Sequence, residues 1–488
     1  MEMRRAGEIT SEERIMEFKS RQYETVNCAE IHGTHVEYRT VCGDFPVRAG
    51  DGALLGTMFS YSYIRTDVED NTRRPAVFAF NGGPGSSSIW MHAGLLAPRT
   101  VKTEHPLTPP TTPPYELAQN DDCILDVCDL VLIDPMGTGY SLILDRERQN
   151  EVYSVEKDAE IFADFIEDWK LRENRMNSPV YLLAESYGTL RACVIPSMLL
   201  GGPMTAVNET RGLSVNGIIL MGNAVTFQSD GSVFFESNVE KMVLNFPTMA
   251  ACSWYHTEGE KPPLKSYMDE ACAFAGGDLM RALYWGYGLD AGEREAILDR
   301  LADFTDLDKR LLRRNNLRID TGTFARERLA DRGLDLGLYD GRFTMPQSMQ
   351  IGSMPNPTAD DAAMGFYTPS YRGAFELIAQ ELGIDADQPY TPINFKVNGS
   401  WSYASSLSPA EHLQAALRRS PELQVMFCCG YYDLVTTCGQ ARYLVNHLDC
   451  AGNRVSVKEY ESGHMPYIGE SRAQLASDLR TMITGREA

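Results

Sequence analysis

The stretch Tyr181-Leu-Leu-Ala-Glu-Ser-Tyr-Gly188 places a serine between an apolar run and a helical pattern. A strand that ends at a serine and turns at once into a helix lifts that serine out of the sheet, with the helix N-terminus behind it. The small residues Ala184 and Gly188, two positions before and after, let such a turn close without a clash. The pattern predicts a nucleophile at Ser186, although a serine that only caps a helix could give the same pattern.

Short apolar runs on both sides of this stretch predict the sheet that carries it. Several are separated by helical patterns, and runs of this length alternating with helices are typical of a mostly parallel sheet covered on both faces. Residues 35–65 alternate apolar and polar side chains and predict antiparallel strands. The acidic segment 12–24 has a helix-like pattern. The predicted strands cover residues 76–80, 130–133, 180–184, 217–221, 423–428 and 455–460.

The character of the sequence changes between about residues 230 and 395. This segment is rich in Leu, Arg and Asp at helical spacing, and the strand pattern resumes after it. We therefore predict a core whose first part covers 1–229, an inserted helical cap over 230–395, and the second part of the core over 396–488.

A glycine-rich loop follows the first predicted parallel strand. It reads Phe80-Asn-Gly-Gly-Pro-Gly-Ser-Ser-Ser88 and brings bare backbone amides close to a ligand. Such a loop can supply one amide of an oxyanion hole, and Tyr187, the residue after the nucleophile, the other. A phosphate-binding loop is disfavoured, because neither Gly-Lys-Ser/Thr nor G-x-G-x-x-G spacing is present. A simple tight turn remains the alternative.

A base and a carboxylate to orient it should follow the serine in the chain. Asp433 comes five residues after the run 423–428, and His464 four residues after the run 455–460. The imidazole would take the serine proton, and the carboxylate would fix its tautomer. In folds whose nucleophile lies on such a strand-to-helix turn, the serine, the acid and the histidine follow in this chain order, as Ser186, Asp433 and His464 do. His412 and His447 lie in helical patterns, where surface or core roles are expected.

Charge and cysteine content limit the function classes. The 488 residues carry a formal net charge of −22, which repels phosphate, so we expect no nucleic-acid partner. We expect no membrane span, because no run of 18 apolar residues occurs, and no secretory signal, because the first residues contain no apolar core. The eleven cysteines are then expected to be reduced thiols in the cytoplasm. Cys123 and Cys128 lack a second ligand pair, so we predict buried thiols and no metal site.

Taken together, these motifs resemble the serine carboxypeptidase family of α/β-hydrolases. The resemblance spans roughly residues 40–230 and 395–480, and the cap matches only loosely. The motifs appear in family order: Asn81-Gly-Gly-Pro-Gly85, Leu132-Ile-Asp-Pro-Met-Gly-Thr-Gly-Tyr-Ser141, Glu185-Ser-Tyr187, Gly430-Tyr-Tyr-Asp433 and Gly463-His-Met465.

The resemblance implies an α/β-hydrolase fold and assigns roles to particular residues. Ser186 would be the nucleophile, His464 the base and Asp433 its orienter, with no metal or organic cofactor. The amides of Gly83 and Tyr187 would form the oxyanion hole. The C-terminal carboxylate of a peptide substrate would be held by three further residues: Asn81, Gly82 and Glu185. A carboxylate beside Glu185 is tolerable only if one of the two is protonated.

The sequence also departs from the family pattern. In eukaryotic members, the glutamate before the nucleophile (Glu185 here) pairs with a second glutamate. That second acid lies fourteen residues after the loop asparagine, where this chain has Leu95. The cysteine that often follows the loop is Ser86 here, so a familiar disulfide is not expected. Since no secretory signal is expected either, the chain resembles the bacterial, intracellular branch of the family and not the vacuolar or secreted one. Arg342 is a candidate for replacing the lost carboxylate recognition, and a salt-bridged structural role is its alternative.

The expected activity is hydrolysis of peptide bonds at peptide C-termini by a serine-type carboxypeptidase. The alternatives are an esterase, acyltransferase or amidase with the same triad, and a binding protein that has lost activity. The expected partners are a peptide or small acyl substrate and, as one option, a second copy of the chain in a homodimer.

Overall fold

The computed structural model describes residues 10–201, 211–227, 239–348, 360–405, 407–449 and 452–486. Its strands are β1 (Gln22–Ile31), β2 (Thr34–Arg48), β3 (Leu54–Arg65), β4 (Ala76–Phe80), β5 (Arg99–Val101), β6 (Leu117–Gln119), β7 (Asp129–Asp134), β8 (Leu142–Ile143), β9 (Val180–Glu185), β10 (Gly217–Met221), β11 (Leu334–Leu336), β12 (Thr344–Pro346), β13 (Gln424–Gly430) and β14 (Val455–Tyr460).

Ten of these strands form one sheet in the order β1-β2-β3-β7-β4-β9-β10-β13-β14, with β8 beside β3. The six strands from β7 to β14 run parallel to one another, and β1, β2 and β3 add an antiparallel edge. Every residue of β4, β7, β9 and β10 is buried. This is why these strands appear in the sequence as continuous apolar runs. The predicted parallel strands and the antiparallel segment are confirmed.

The helices are α1 (Ser11–Glu17), α2 (Ile89–Met91), α3 (Val155–Arg172), α4 (Gly188–Leu200), α5 (Val239–His256), α6 (Leu264–Phe274), α7 (Met280–Trp285), α8 (Ala291–Thr305), α9 (Lys309–Arg314), α10 (Thr321–Glu327), α11 (Ala362–Glu381), α12 (Phe395–Gly399), α13 (Pro409–Arg419), α14 (Cys438–His447) and α15 (Ser471–Thr484). No described helix is long and apolar enough to span a membrane.

Two apolar layers cover the two faces of the sheet. The buried side chains of α3, α4, α13 and α14 belong to the layer that includes Phe78 and Leu182. Those of α2, α11 and α15 belong to the layer that includes Val77 and Leu183. Consecutive residues of one strand point to opposite faces, so both layers form from the same strands. The prediction of an α/β fold with helices on both faces is confirmed.

The predicted cap segment contains two kinds of structure. Helices α5 to α10 pack on one another and continue the first apolar layer. By contrast, α11 packs on α2 and β5 in the second layer, as a helix of the core would. The predicted start of the cap at residue 230 lies outside the described residues. The division of the chain at 230 and 395 stays a prediction, although the packing of α11 associates residues 362–381 with the core.

The helix expected over residues 12–24 is wrong after Glu17. From Gln22 onward the chain is β1, which pairs with β2 along its full length. Arg21 donates to both carboxylate oxygens of Asp44, which anchors the start of this strand. The local acidic pattern is overridden here by pairing with a strand that begins further along the chain.

Candidate active site

Ser186 lies at the turn between β9 and α4. Its φ of 58° is left-handed, a conformation that a non-glycine residue adopts only where its surroundings hold it. Its amide donates to the carbonyl oxygen of Met221 at 2.9 Å. A Cβ on Gly188 would lie 2.9 Å from the carbonyl oxygen of Phe80, so the turn needs glycine there. This is the strained strand-turn-helix geometry predicted for a nucleophile.

The loop after β4 packs directly on this turn. A Cβ on Gly82 would lie 2.4 Å from the amide nitrogen of Tyr187 and 2.7 Å from the carbonyl oxygen of Glu185. The next residue, Gly83, has a φ of 106°. Within the part of the chain that the structure describes, the amides of Gly83 and Tyr187 donate no backbone hydrogen bond. Two such amides beside a nucleophile are what an oxyanion hole requires.

A buried ion pair beneath the loop holds it in place. Arg191 of α4 donates from Nε to Asp158 of α3 at 2.6 Å, and from Nη1 to the carbonyl oxygen of Asn81 at 3.0 Å. Burial raises the pKa of the Asp158 carboxyl, against the lowering effect of the Arg191 charge. The pair therefore connects two helices to the backbone of the glycine-rich loop.

Asp433 and His464 follow the neighbouring strands β13 and β14. The Nδ1 atom of His464 lies 2.8 Å from Oδ2 of Asp433. The other oxygen, Oδ1, accepts from the amides of Val435 and Thr436, both at 2.9 Å. The Thr436 hydroxyl donates to Oδ2 at 2.5 Å. Burial lowers the pKa of the His464 imidazole, but the charge and hydrogen bond of Asp433 outweigh this, and the pKa is raised.

Ser186 and His464 both adjoin the end of β10. The serine amide bonds the last residue of that strand, Met221, and a Cβ on the following Gly222 would lie 2.8 Å from Cε1 of His464. Nε2 of His464 is buried and has no hydrogen-bond partner among the described residues. The imidazole therefore has a nitrogen available to accept a proton beside the nucleophile.

The residue before the nucleophile is a buried carboxyl group. Glu185 is 3% exposed. Its Oε1 accepts from Nδ2 of Asn81 at 2.6 Å, and its Oε2 accepts from the hydroxyl of Tyr467 at 2.7 Å. Burial raises the pKa of Glu185 to about 7, against the lowering effects of His464 and of these two hydrogen bonds. Near neutral pH the group can therefore gain or lose a proton readily.

Leu95 lies at the position where the family resemblance implies a second acid. It is fully buried in the second apolar layer, in the wide helical turn His92–Leu96 that follows α2. The carboxyl of Glu185 is therefore without an acidic partner from this turn. Its second oxygen is bonded instead by Tyr467, which sequence reasoning missed.

Arg342 is committed to structural contacts. Its Nε donates to Oδ1 of Asp340 at 2.9 Å and its Nη2 to Oδ2 at 2.6 Å. It also donates to the carbonyl oxygens of Glu461 and Ile468. The structure therefore supports the salt-bridged alternative for this residue and not a role in carboxylate recognition.

The segment 338–342 lies between the two loops that carry Asp433 and His464. Leu434 donates its amide to Leu338, and His464 donates its amide to the carbonyl oxygen of Tyr339 at 2.7 Å. The ring of Tyr339 meets the His464 ring edge-on, with centroids 5.2 Å apart. A Cβ on Gly463 would lie 2.5 Å from this segment, at Asp340. This segment braces both loops of the triad.

The cysteines singled out in the sequence are buried thiols. Cys123 donates to the carbonyl oxygen of Leu96, and Cys128 to that of Ile124. The ten cysteines of the described residues are all free. The prediction that Cys123 and Cys128 are buried thiols is confirmed, and these contacts account for both side chains.

Comparison with known proteins shows similarity to carboxypeptidases. Residues 56–249 match the family model described as serine carboxypeptidase. The chain is 28% identical over 138 residues to the pheromone-processing carboxypeptidase KEX1 of Candida tropicalis, which is 26% of this chain and 16% of that protein. It is 21% identical over 294 residues to the KEX1 of Arthroderma otae, which is 60% of this chain and 39% of that protein. The chain thus matches less than half the length of these relatives.

A solved structure extends the fold comparison over nearly the whole chain. The prohormone-processing carboxypeptidase Kex1Δp from Saccharomyces cerevisiae matches with a TM-score of 0.57 and 15% identity, over 92% of this chain and 91% of that one. At this identity the likeness shows the fold. The match to the serine carboxypeptidase model therefore covers residues 56–249, and the structural match extends the likeness in fold to most of the chain.

Proposed function

From the family match of residues 56–249, we propose that the chain is a serine-type carboxypeptidase that removes residues from peptide C-termini. The observation that carries this proposal is the buried pair of Asn81 and Glu185 directly beside Ser186. An amide and a protonatable carboxyl at this position suit a free carboxylate, which an internal peptide bond does not present. Gly82 lies against the backbone of the same turn, with its Cβ position 2.7 Å from the carbonyl oxygen of Glu185.

The proposed chemistry uses the groups around Ser186 in two steps. His464 takes the Ser186 proton while Oγ attacks the scissile carbonyl carbon, and the amides of Gly83 and Tyr187 stabilise the oxyanion. The tetrahedral intermediate breaks its C–N bond, and His464 gives its proton to the departing amine. Water then loses a proton to His464 and attacks the acyl-enzyme, the bond from the acyl carbon to Oγ breaks, and His464 returns the proton to Oγ of Ser186 as the shortened peptide leaves. Asp433 holds the imidazole tautomer throughout.

Substrate binding brings a second carboxylate next to Glu185. Two ionised carboxylates at hydrogen-bonding distance repel strongly, so one proton must lie between them. The raised pKa of Glu185, about 7, supports this arrangement, because the free protein can supply that proton up to near-neutral pH.

A paired assay tests the proposal. An N-blocked dipeptide with a free C-terminal carboxylate is compared with the same dipeptide as its C-terminal amide, by mass spectrometry, with Ser186→Ala as the control. We expect cleavage of the free acid by the parent protein and no cleavage by the variant. Equal cleavage of acid and amide would indicate an amidase, and cleavage of simple esters alone an esterase or acyltransferase.

We also propose that the protein acts in the cytoplasm, as a member of an intracellular, bacterial-type branch. The free thiols of the described residues and the absence of the family's cysteine at Ser86 support this. The curated relatives reported above are fungal. Fractionation of the source cells, followed by detection of the protein, tests the location, and recovery outside the cytoplasm would contradict it. A homodimer is the further option that we propose for the assembly, and light scattering of the purified chain tests it, with the mass of a monomer as the contrary result.

A further inference from the structure

The hydroxyl of Tyr467 reaches Glu185 from a site shaped for its ring. A Cβ on Gly94 would lie 2.7 Å from Cε2 and 3.0 Å from Cδ2 of Tyr467, so only glycine lets the ring lie there. Gly94 directly precedes Leu95, the position of the missing acid. Tyr467 itself is 2% exposed. The ring therefore fills the space between the turn His92–Leu96 and the carboxyl group that such an acid would reach.

Four further groups lie around Glu185. His464 faces it from the loop after β14 and Asp433 from the loop after β13, with opposite effects on its charge. Asn81 donates from the glycine-rich loop. Tyr371 approaches from α11, with its hydroxyl 2.8 Å from the same Gly94 Cβ position. Among the described residues, Asn81 and Tyr467 are the donors to the Glu185 oxygens.

We propose that Tyr467 is a positioning residue for Glu185, which fixes its second oxygen and takes the place of a paired acid in binding the substrate's C-terminal carboxylate. This inference rests on the proposed function. A paired acid brings a titratable proton of its own, whereas a tyrosine brings a donor that keeps its proton. Burial and the charge of Glu185 raise the pKa of Tyr467 well above its ordinary value, so its hydroxyl keeps its proton at neutral pH and remains a donor.

The arrangement leaves Glu185 as the group that supplies the shared proton. Because Tyr467 donates to Oε2, it stabilises the ionised carboxyl and limits how far burial raises its pKa. The residue thereby determines the pH at which Glu185 ceases to accept a substrate carboxylate. Removal of its hydroxyl should extend binding of free-acid substrates to higher pH.

The variant Tyr467→Phe tests this while keeping the ring that packs on Gly94. The matched control is Tyr371→Phe, which removes a buried hydroxyl near the same glycine. The first measurement is the titration midpoint of Glu185 by NMR of protein carrying ¹³C-labelled glutamate carboxyls, with Glu185→Gln to assign the signal. We expect Tyr467→Phe to raise the midpoint by about one unit, the scale of a lost hydrogen bond to a charged group, and Tyr371→Phe to leave it nearly unchanged. An unmoved midpoint in Tyr467→Phe overturns the proposal.

The second measurement is the pH profile of kcat/KM on the N-blocked dipeptide acid and on a matching ester with a blocked C-terminus. We expect the alkaline limb for the acid to move upward with the NMR midpoint, and the ester profile to stay where it is. A moved midpoint with an unmoved limb overturns the link to carboxylate binding. If the parent protein does not prefer the acid, the proposed function fails, while the NMR result still decides whether Tyr467 positions Glu185.

Discussion

Two buried carboxyl groups lie in the candidate active site, Glu185 next to Ser186 in the chain and Asp433 beside His464, and they have different hydrogen-bond surroundings. Asp433 takes four donors, two backbone amides, one hydroxyl and the His464 imidazole. Glu185 takes two, one amide and one phenol. Many donors stabilise a negative charge, and few donors in an apolar site leave a carboxyl able to accept a proton. The same chemical group can thus orient a base at one site and share a proton at the other.

The largest effect is expected from Asp433→Asn, which keeps the shape but removes the charge. The amide would favour the wrong imidazole tautomer, so we expect kcat to fall about ten-thousand-fold, the size of loss known for this change in a serine protease triad. Hydrolysis of the N-blocked dipeptide acid measures it. An accompanying thermal melt close to that of the parent excludes misfolding, and a loss of less than tenfold would contradict the assigned role.

Glu185→Gln should impair cleavage of substrates with a free C-terminal carboxylate far more than cleavage of blocked substrates. The variant cannot share a proton with the substrate carboxylate in the same way, so we expect kcat/KM on the free acid to fall about tenfold to a hundredfold. Cleavage of an ester with a blocked C-terminus should change less than threefold or so. Equal losses on both substrates would show that Glu185 supports the nucleophile and not carboxylate binding.

In the unmodified protein, the pH dependence of kcat/KM should differ between the free acid and the blocked ester. Glu185 has a raised pKa of about 7, so its protonated form is present below that pH and is lost as pH rises through it. We expect the ratio of kcat/KM on the free acid to kcat/KM on the blocked ester to fall about tenfold between about pH 6 and 8, because loss of the proton from His464 affects both substrates alike. Stopped assays on both substrates across this range measure it. Parallel profiles for the two substrates are the contrary result.

Thr436→Val should have the smallest effect, because it removes one of four donors to Asp433 and keeps the side-chain shape. We expect kcat to fall about fivefold, equivalent to about 1 kcal/mol, since the remaining three donors still hold the carboxylate. The comparison variant is Thr437→Val, next along the chain, whose hydroxyl donates to Leu244 and Asn245 instead. Loss of equal size in both variants would remove Thr436 from the triad's support.

The strands and the triad were predictable from the sequence because each leaves a local signal. Fully buried parallel strands give continuous apolar runs, and the nucleophile needs small residues at Ala184 and Gly188 to close its turn. The helix predicted over residues 12–24 was wrong after Glu17 because β1 forms by pairing with β2. The sequence of β1 itself alternates only weakly between apolar and polar residues, so it gives little sign of a strand.

The supports of the site could not be predicted in the same way. Tyr467 bonds a residue 282 positions away, and Arg191 bonds a carbonyl 110 positions away. Neither has a spacing that marks its partner, and both are ordinary core residues until the sheet brings their partners together. Gly94 carried the one available signal, since a glycine inside a helical turn suggests a close approach by another group.

The segment 338–342 has a consequence for engineering. Exchange of the insertion between related enzymes is an obvious route to new side-chain preferences, and the helices α6 to α10 could be replaced while α5, which packs on α14 behind the Asp433 loop, stays in place. Residues Leu338 to Arg342 belong to the same stretch of chain but hold the loops of Asp433 and His464. A graft that ends on either side of them, and leaves them in place, keeps the base where the nucleophile needs it.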